Sequence, residues 1–195
     1  MGGREVLRPE GEALLLTLGE ADFNADHFAL FGLQPAFRID SQTLDERFRK
    51  LQAQVHPDRF TQASESERRA SLQWATRVNE AYQSLKTPLL RAQYLIELAG
   101  HQLDRESNTA MPAEFLMEQM EWRDAVTDAM QDGKLEELDQ LCDRVRQETQ
   151  ARYGKLAELL DDQADFKTAA EEVRCLMFLE KLLTEIDDGM AVLEN

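Results

Sequence analysis

Apolar residues recur every three to four positions along most of this 195-residue chain, and helix-breaking residues are scarce. The whole chain contains 9 glycines and 5 prolines. Residues three and four apart share one face of an α-helix, whereas a half-buried strand requires alternation at every second position. Since no segment shows convincing strand alternation, the spacing predicts an all-α fold.

Breaks in this spacing divide the chain into four predicted parts. They are an N-terminal extension at residues 1–24, a helical domain at 25–100, a linker at 101–112 and a three-helix bundle at 113–195. The extension lacks sustained periodicity and is predicted to be partly disordered. The linker is mostly polar, which is typical of a segment between two domains.

Two long amphipathic helices are predicted within residues 25–100. In the first, which Ser41 can cap, the apolar positions at i, i+4, i+7 and i+11 are Leu44, Phe48, Leu51 and Val55. This helix ends before Pro57, because a residue that precedes proline is pushed out of the α region. The second helix runs from about Glu65 to Lys86, and Pro88 marks its end. Its predicted buried stripe is Leu72, Ala75, Val78, Ala81, Tyr82 and Leu85.

Three further helices are predicted in the second half, near residues 113–131, 134–161 and 165–192. Asp132-Gly133 and Asp161-Asp162 separate them. Helices joined by connections this short are antiparallel neighbours, so the sequence predicts a three-helix bundle.

Negative charge is concentrated in the second half of the chain. The formal net charge is −16, and residues 101–195 carry 24 acidic and 10 basic side chains, a balance of −14. Such a surface repels phosphate backbones, and residues 26–100, with 10 basic and 9 acidic side chains, are too weakly basic to compensate. Nucleic acid is therefore a poor partner. No segment has the length of a membrane span either, so a protein partner is favoured.

The residue types that carry catalysis or bind metals show no matching pattern. Cys142 and Cys175 lack C-x-x-C spacing and fall beside apolar helical stripes, so we expect buried free thiols in a reducing compartment, with a disulfide as the alternative. His27, His56 and His101 lack ligand spacing, and no glycine-rich phosphate loop or nucleophile–base set is discernible. The sequence predicts no catalytic residue, no metal site and no cofactor.

One motif, His56-Pro57-Asp58, occupies the loop between the two long helices. Proline fixes a tight exit from the first helix, so the loop is stiff, and the flanking imidazole and carboxylate offer a donor and an acceptor. With Asn79-Glu80-Ala81-Tyr82 in the second helix, the arrangement resembles the J-domain. The resemblance implies a co-chaperone that docks onto a DnaK-type heat-shock chaperone through this loop. A plain helix stop is the alternative interpretation of Pro57-Asp58.

The helix before the loop carries basic side chains to which the same resemblance assigns chaperone docking. Arg49 and Lys50 match positions where the family usually has basic residues, and Arg47 lies three residues before Lys50 on one flank of the helix. An ordinary solvated helix face is the alternative. Three residues depart from the family's pattern and bear on affinity: Asp45, Gln54 and Val55.

Three further sequence runs indicate which group of J-domain proteins the chain resembles. Phe115-Leu116-Met117-Glu118-Gln119-Met120-Glu121, Arg91-Ala92-Gln93-Tyr94-Leu95 and Phe178-Leu179-Glu180-Lys181-Leu182 are similar to the HscB-type (Jac-type) co-chaperones of iron–sulfur cluster assembly. The resemblance covers about residues 26–195. It implies a J-domain followed by a helical bundle that binds the scaffold protein IscU. It also implies that the protein delivers IscU to a DnaK/HscA-type chaperone and stimulates ATP hydrolysis by that chaperone. The expected compartment is the bacterial cytoplasm, with the mitochondrial matrix as the alternative.

The helix near 113–131 is predicted to present an exposed face. At 100° per residue, six residues fall within about 140° of one another. They are Leu116, Met117, Met120, Glu121, Asp124 and Asp128. An apolar patch rimmed by carboxylates is typical of a protein-binding site, and the resemblance implies that these positions and Phe178 contact the scaffold. The alternatives are packing of the three apolar residues against the J-domain or another helix, and a boundary core position for Phe178.

Two other functions stay open at this point. One is a J-domain protein that serves a different client, and the other is a helical adaptor without any link to a chaperone. An ATPase assay with a DnaK-type partner distinguishes the adaptor from a J-domain protein. A pull-down that compares an iron–sulfur scaffold with unrelated clients distinguishes a J-domain protein for a different client from one that serves the scaffold.

Overall fold

The computed structural model describes residues 25–103 and 111–194, and every regular element within these two ranges is helical. The all-α prediction is therefore confirmed. The predicted extension at residues 1–24 and most of the predicted linker lie outside the described residues. In chain order the elements are α1 (His27–Leu30), α2 (Ser41–Val55), a 3₁₀ turn (Pro57–Phe60), α3 (Glu65–Lys86), α4 (Pro88–Leu98), α5 (Ala113–Gln131), α6 (Leu135–Ala157), a π-helical turn (Glu158–Gln163) and α7 (Phe166–Leu193).

The described residues form two compact units. The first unit contains residues 25–35 and 39–90, and the second contains residues 36–38, 91–103 and 111–194. The sequence placed the division after residue 100, whereas the contacts place it after Leu90, inside α4. Beyond that point α4 is largely apolar and buries Ala92, Leu95 and Ile96, which groups this part of the helix with the second unit.

Local capping signals fix the two long helices of the first unit. Asp40, rather than the predicted Ser41, is the N-cap of α2, because its carboxylate accepts a hydrogen bond from the Gln42 amide at 3.0 Å. The helix α3 begins with a capping box in which Ser64 and Glu67 satisfy each other's backbone amides. Its bounds coincide with the predicted ones.

The core of the first unit lies between α1, α2 and α3. Its fully buried side chains are Phe28, Leu44, Val55, Phe60, Val78, Ala81 and Leu85. The predicted inclusion of Leu72 is wrong, since this side chain is 59% exposed. The buried face of α3 passes instead through Ser71 and Trp74, and the buried Ser71 hydroxyl donates to the Val55 carbonyl at 2.8 Å. Val55 is the last residue of α2, so no backbone amide of that helix donates a hydrogen bond to its carbonyl.

The second unit is built on packing among α5, α6 and α7. One hydrophobic cluster joins the three helices: Phe115, Val126, Ala129, Leu138, Leu141, Cys142, Val145, Cys175, Leu179, Leu182 and Ile186. Both cysteines are free and buried, as expected. Burial raises the pKa of Cys142, and it raises the pKa of Cys175 to about 11. Both thiols are therefore protonated and poorly nucleophilic near neutral pH.

Residues 36–38 join the second unit through the break that follows α6. The Asp161 carboxylate accepts hydrogen bonds from the amides of Phe37 (2.6 Å) and Arg38 (2.9 Å). The Phe37 ring is buried, with the Arg91 guanidinium 5.1 Å from its centroid. Because Asp161 lies in the π-helical turn, the segment that sequence reasoning treated only as a helix break is also a binding point for a distant loop. Among the described helices, none has both the length and the apolar composition needed to cross a membrane.

Candidate functional site

The loop between α2 and α3 holds His56 and Asp58 in solvent. The side chain of His56 is 51% exposed and that of Asp58 is 87% exposed. His56 takes an extended backbone conformation (φ −61°, ψ 128°), as the following proline requires, and Pro57 begins the 3₁₀ turn. Both polar side chains therefore project outward, in agreement with the sequence prediction.

Internal contacts pin this loop on both sides. Phe60 is buried at the end of the 3₁₀ turn, and the Arg59 amide donates to the His56 carbonyl at 3.0 Å. The Asp58 amide donates to His56 Nδ1 at 3.3 Å. When the imidazole is neutral, accepting at Nδ1 leaves the hydrogen on Nε2. The loop thus presents one N–H donor and one carboxylate in a fixed relation.

The three basic residues predicted to dock a chaperone separate into two groups. Arg49 and Lys50 are exposed on α2. Arg47 is turned inward, because its guanidinium donates to the carbonyls of Phe31 (2.6 Å) and Gly32 at the end of α1. Those carbonyls lack partners within their own short helix, and Gly32 has a positive φ of 61°. Arg47 therefore stabilises the first unit, and its predicted part in chaperone docking stays a prediction.

Replacing Arg47 with alanine is expected to lower the free energy of unfolding by about 1–3 kcal/mol, since two carbonyls lose a charged donor. Arg49→Ala is the matched control on the same helix, and we expect it to change stability by less than about 0.5 kcal/mol. Thermal or urea denaturation followed by circular dichroism measures both variants. Equal stability of the two would contradict the structural role of Arg47.

Asp45, a departure from the family's pattern, is paired within the hairpin. Its carboxylate accepts hydrogen bonds from Lys86 Nζ at 2.7 Å and from the Tyr82 hydroxyl at 3.0 Å. The hydrogen bond from Lys86 lowers the pKa of Asp45 most, desolvation opposes it, and the hydrogen bond from Tyr82 adds to the lowering. The negative charge at this position therefore joins α2 to α3 and is neutralised locally.

The predicted face of α5 is exposed, and we call its six residues the α5 face: Leu116, Met117, Met120, Glu121, Asp124 and Asp128. Met117 is 67% exposed and Met120 is 65% exposed, while Leu116 is half-buried. The three acidic residues are exposed. On the opposite side of the helix, Phe115, Val126 and Ala129 enter the hydrophobic cluster. The two methionines are thus open to solvent, whereas the half-buried Leu116 is compatible with the alternative interpretation, packing against another part of the protein.

Phe178 lies at the edge of the bundle core. Its half-buried ring contacts Phe115 edge-to-face, with 5.8 Å between centroids, and the Arg123 guanidinium stands 5.4 Å from its centroid. Both partners belong to α5. The structure therefore favours the boundary core position that the sequence left open, and it makes Phe178 a support of α5.

Sequence reasoning missed a second support of α5. The Arg152 guanidinium on α6 lies 4.5 Å from the centroid of Phe115 and pairs with Glu172 on α7, whose side chain is 4% exposed (Nη1 to Oε2, 2.9 Å). Lys155 Nζ also pairs with Glu172, at 2.7 Å. A buried carboxylate with two cations is stabilised by pairing, so this cluster fixes the side chain that directly precedes Leu116. The sequence offered only the helical spacing of Arg152 and Lys155, with no signal for Glu172.

Within residues 25–103 and 111–194 there is no group of three or more His, Cys, Asp or Glu side chains that could hold a metal ion. The site features consist of an exposed His-Pro-Asp turn on a helical hairpin and an exposed face on a three-helix bundle. These define a class, the helical J-domain proteins with a C-terminal helical domain.

Comparison with known proteins identifies the family within this class. Residues 111–187 match the family model described as the HSCB C-terminal oligomerisation domain. The "Co-chaperone protein HscB homolog" of Azoarcus sp. (strain BH72) is 52% identical over 174 residues, which cover 89% of this chain and 98% of the relative. The chain therefore belongs to the HscB family of co-chaperones, as the motifs predicted.

Solved structures agree with this assignment. The chaperone HscB from Vibrio cholerae superposes with a TM-score of 0.77 at 34% identity, over 87% of this chain and 99% of that one. The human co-chaperone protein HscB gives a TM-score of 0.79 at 28% identity, over 84% and 81% of the two chains. Family membership implies a chaperone partner of the Hsp70 kind and a regulatory role in place of an enzymatic one.

Proposed function

We propose that this chain stimulates ATP hydrolysis by a DnaK/HscA-type chaperone through the loop at residues 56–58, and that it delivers an IscU-type iron–sulfur scaffold held on the α5 face. The single observation that supports this most is the outward presentation of His56 and Asp58 on a loop pinned by Phe60. A rigid loop loses little conformational freedom on docking, so its contacts translate efficiently into affinity.

Arg49 and Lys50 extend the chaperone-docking surface along α2. Both are exposed, and their charge suits an acidic patch on the ATPase domain. Rim charges of this kind mainly raise the association rate and make it salt-dependent. Arg47 is given a lesser part in this surface because its Nη1 group is engaged by the end of α1.

The α5 face is proposed to hold the scaffold by combined apolar and charge complementarity. Its apolar centre, Leu116, Met117 and Met120, provides area that a partner can bury, and methionine adapts to an imperfectly matched surface. Glu121, Asp124 and Asp128 favour a partner with lysine or arginine beside an apolar spot. Phe178 contributes by holding α5 through Phe115 and Arg123.

No catalytic group of this chain is needed for the proposed mechanism. Two docking surfaces on one chain raise the effective concentration of the scaffold at the chaperone, and ATP hydrolysis then traps it there. The chemistry belongs to the chaperone, and neither a cofactor nor a metal of this chain takes part. Because relatives that are 50% and 52% identical to it are bacterial, we propose the bacterial cytoplasm as its compartment.

The test is the steady-state ATPase rate of an HscA-type chaperone, measured alone, with this chain, with an IscU-type scaffold, and with both. We expect stimulation by the chain alone and a larger rate with both than the two separate effects predict. The same enhancement by an unrelated unfolded client would favour a J-domain protein for another client. No stimulation in any mixture would contradict the proposal and favour an adaptor.

A further inference from the structure

Two methionines of the α5 face differ from the other described methionines in their exposure. Met117 and Met120 are 67% and 65% exposed, and they lie one helical turn apart on the same face of α5. Met111, Met130 and Met190 are half-buried against the hydrophobic cluster, and Met177 is half-buried on α7. Thioether oxidation follows exposure, so among the described methionines these two sulfur atoms are the most accessible to a dissolved oxidant.

We propose that Met117 and Met120 form a peroxide-sensitive modification site that controls docking at the α5 face. In each reaction the thioether sulfur attacks one oxygen of hydrogen peroxide, the O–O bond breaks and an S–O bond forms. The departing hydroxide takes up the remaining proton and leaves as water. The sulfur loses two electrons and the peroxide gains two, and the product is methionine sulfoxide.

The modification changes the chemistry of the face. A sulfoxide carries a strong hydrogen-bond acceptor where the thioether was apolar, and it stands beside a rim that is already acidic at Glu121 and Asp124. A partner that buries the apolar centre would leave this acceptor without a donor, which weakens the complex. This inference rests on the proposed docking of the scaffold at the α5 face. Methionine sulfoxide reductases reverse the reaction, so the site is a switch.

Met130 and Met190 provide the internal comparison. Both belong to helices that carry the same hydrophobic cluster, and the Met130 sulfur is packed so closely against α7 that a Cβ built on Gly189 would lie 2.7 Å from it. This packing restricts the access of peroxide to that sulfur. Oxidation of Met130 and Met190 should therefore lag behind that of the α5 face.

The experiment treats the full chain with hydrogen peroxide and follows each methionine by peptide mass spectrometry. We expect Met117 and Met120 to reach half-oxidation at least about fivefold sooner than Met130 and Met190. Scaffold affinity, measured by calorimetry, should fall about tenfold or more once both are oxidised, and reductase treatment should restore it. Addition of scaffold before the peroxide should slow oxidation at both positions, because binding and modification are linked.

Variants assign the effect to these positions. For each variant the readout is the ratio of its affinity before and after peroxide. We expect no loss in the double variant Met117→Leu, Met120→Leu, and the normal loss in Met130→Leu, Met190→Leu. Equal oxidation rates at all four methionines would overturn the proposed site, as would a loss that persists in the first double variant.

Failure of the switch and failure of scaffold docking are distinguishable. If both methionines oxidise selectively while scaffold affinity stays unchanged, the switch is overturned. The unoxidised chain with Leu116, Met117 and Met120 truncated to alanine then decides about docking. If that variant binds the scaffold weakly, the docking proposal stands. If it binds the scaffold normally, docking at the α5 face is overturned together with the switch.

Discussion

Replacing His56 with glutamine is expected to leave the chain folded and to reduce the proposed stimulation of the chaperone's ATPase by about tenfold or more, the effect of losing one well-placed hydrogen bond in a docked interface. The imidazole is half exposed, and Nδ1 accepts from the Asp58 amide at 3.3 Å and lies 3.6 Å from the Asp58 carboxylate. Glutamine keeps the polarity and approximate length but has no ring to fix an N–H donor at the Nε2 position. The fold depends on Pro57 and Phe60, which are unchanged.

His101→Gln is the matched control, since it makes the same substitution at an exposed histidine of the second unit, where the ring stacks on Phe166. We expect it to stimulate the ATPase normally. Circular dichroism establishes that both variants are folded, and the ATPase rate at saturating co-chaperone compares them. Full stimulation by His56→Gln would remove the loop from the mechanism and leave the J-domain resemblance without a functional consequence.

The long helices could be predicted because their ends carry local signals. Ser64 with Glu67 fixes the start of α3, Pro88 prevents its continuation, and Pro57 ends α2. The exposed face of α5 could be predicted in part. Phe115, Val126 and Ala129 fall on one side of the helical wheel and the acidic residues on the other. The wheel placed Leu116, Met117 and Met120 with the acidic residues, and the family resemblance favoured their exposure.

Positions that depend on distant partners could not be predicted. The buried stripe of α3 was predicted to include Leu72, but a hydroxyl at Ser71 is needed to satisfy the Val55 carbonyl, and the packed face lies around that contact. Arg47 resembled a docking residue by spacing alone. Its actual partners, the carbonyls at the end of α1, lie 15 and 16 residues away and leave no trace in helical periodicity.

The division into two units shows the same limit over a longer range. The amide of Arg38 is bound by Asp161, which lies 123 residues away in sequence. Composition identifies a polar linker near residue 101, but it carries no information about which loop a carboxylate in the π-helical turn will bind. Local sequence signals therefore predict the helices. The assignment of residues 36–38 and 91–100 to the second unit depends on tertiary contacts that the sequence does not indicate.

Truncating Leu116, Met117 and Met120 together to alanine is expected to weaken scaffold binding by about 100-fold or more, roughly 3 kcal/mol. These side chains form the apolar centre of the α5 face, and two of them contribute little to the bundle core because they are mostly exposed. The helix should persist, since alanine has the highest helix propensity and Phe115, Val126 and Ala129 still anchor it. Calorimetric titration with the scaffold measures the loss. Phe178 is kept out of this variant because its truncation would also remove the support of Phe115.

Apolar truncation outside the face provides the control. Leu72→Ala and Val192→Ala remove exposed apolar side chains of similar kind from α3 and α7, and we expect both to bind the scaffold normally. The triple variant should also retain stimulation of the chaperone in the absence of scaffold, because the loop at residues 56–58 is untouched. Its rate should no longer rise when scaffold is added. Normal scaffold affinity in the triple variant would contradict docking at the α5 face. If the variant lost both scaffold affinity and basal stimulation, the two surfaces would not act separately.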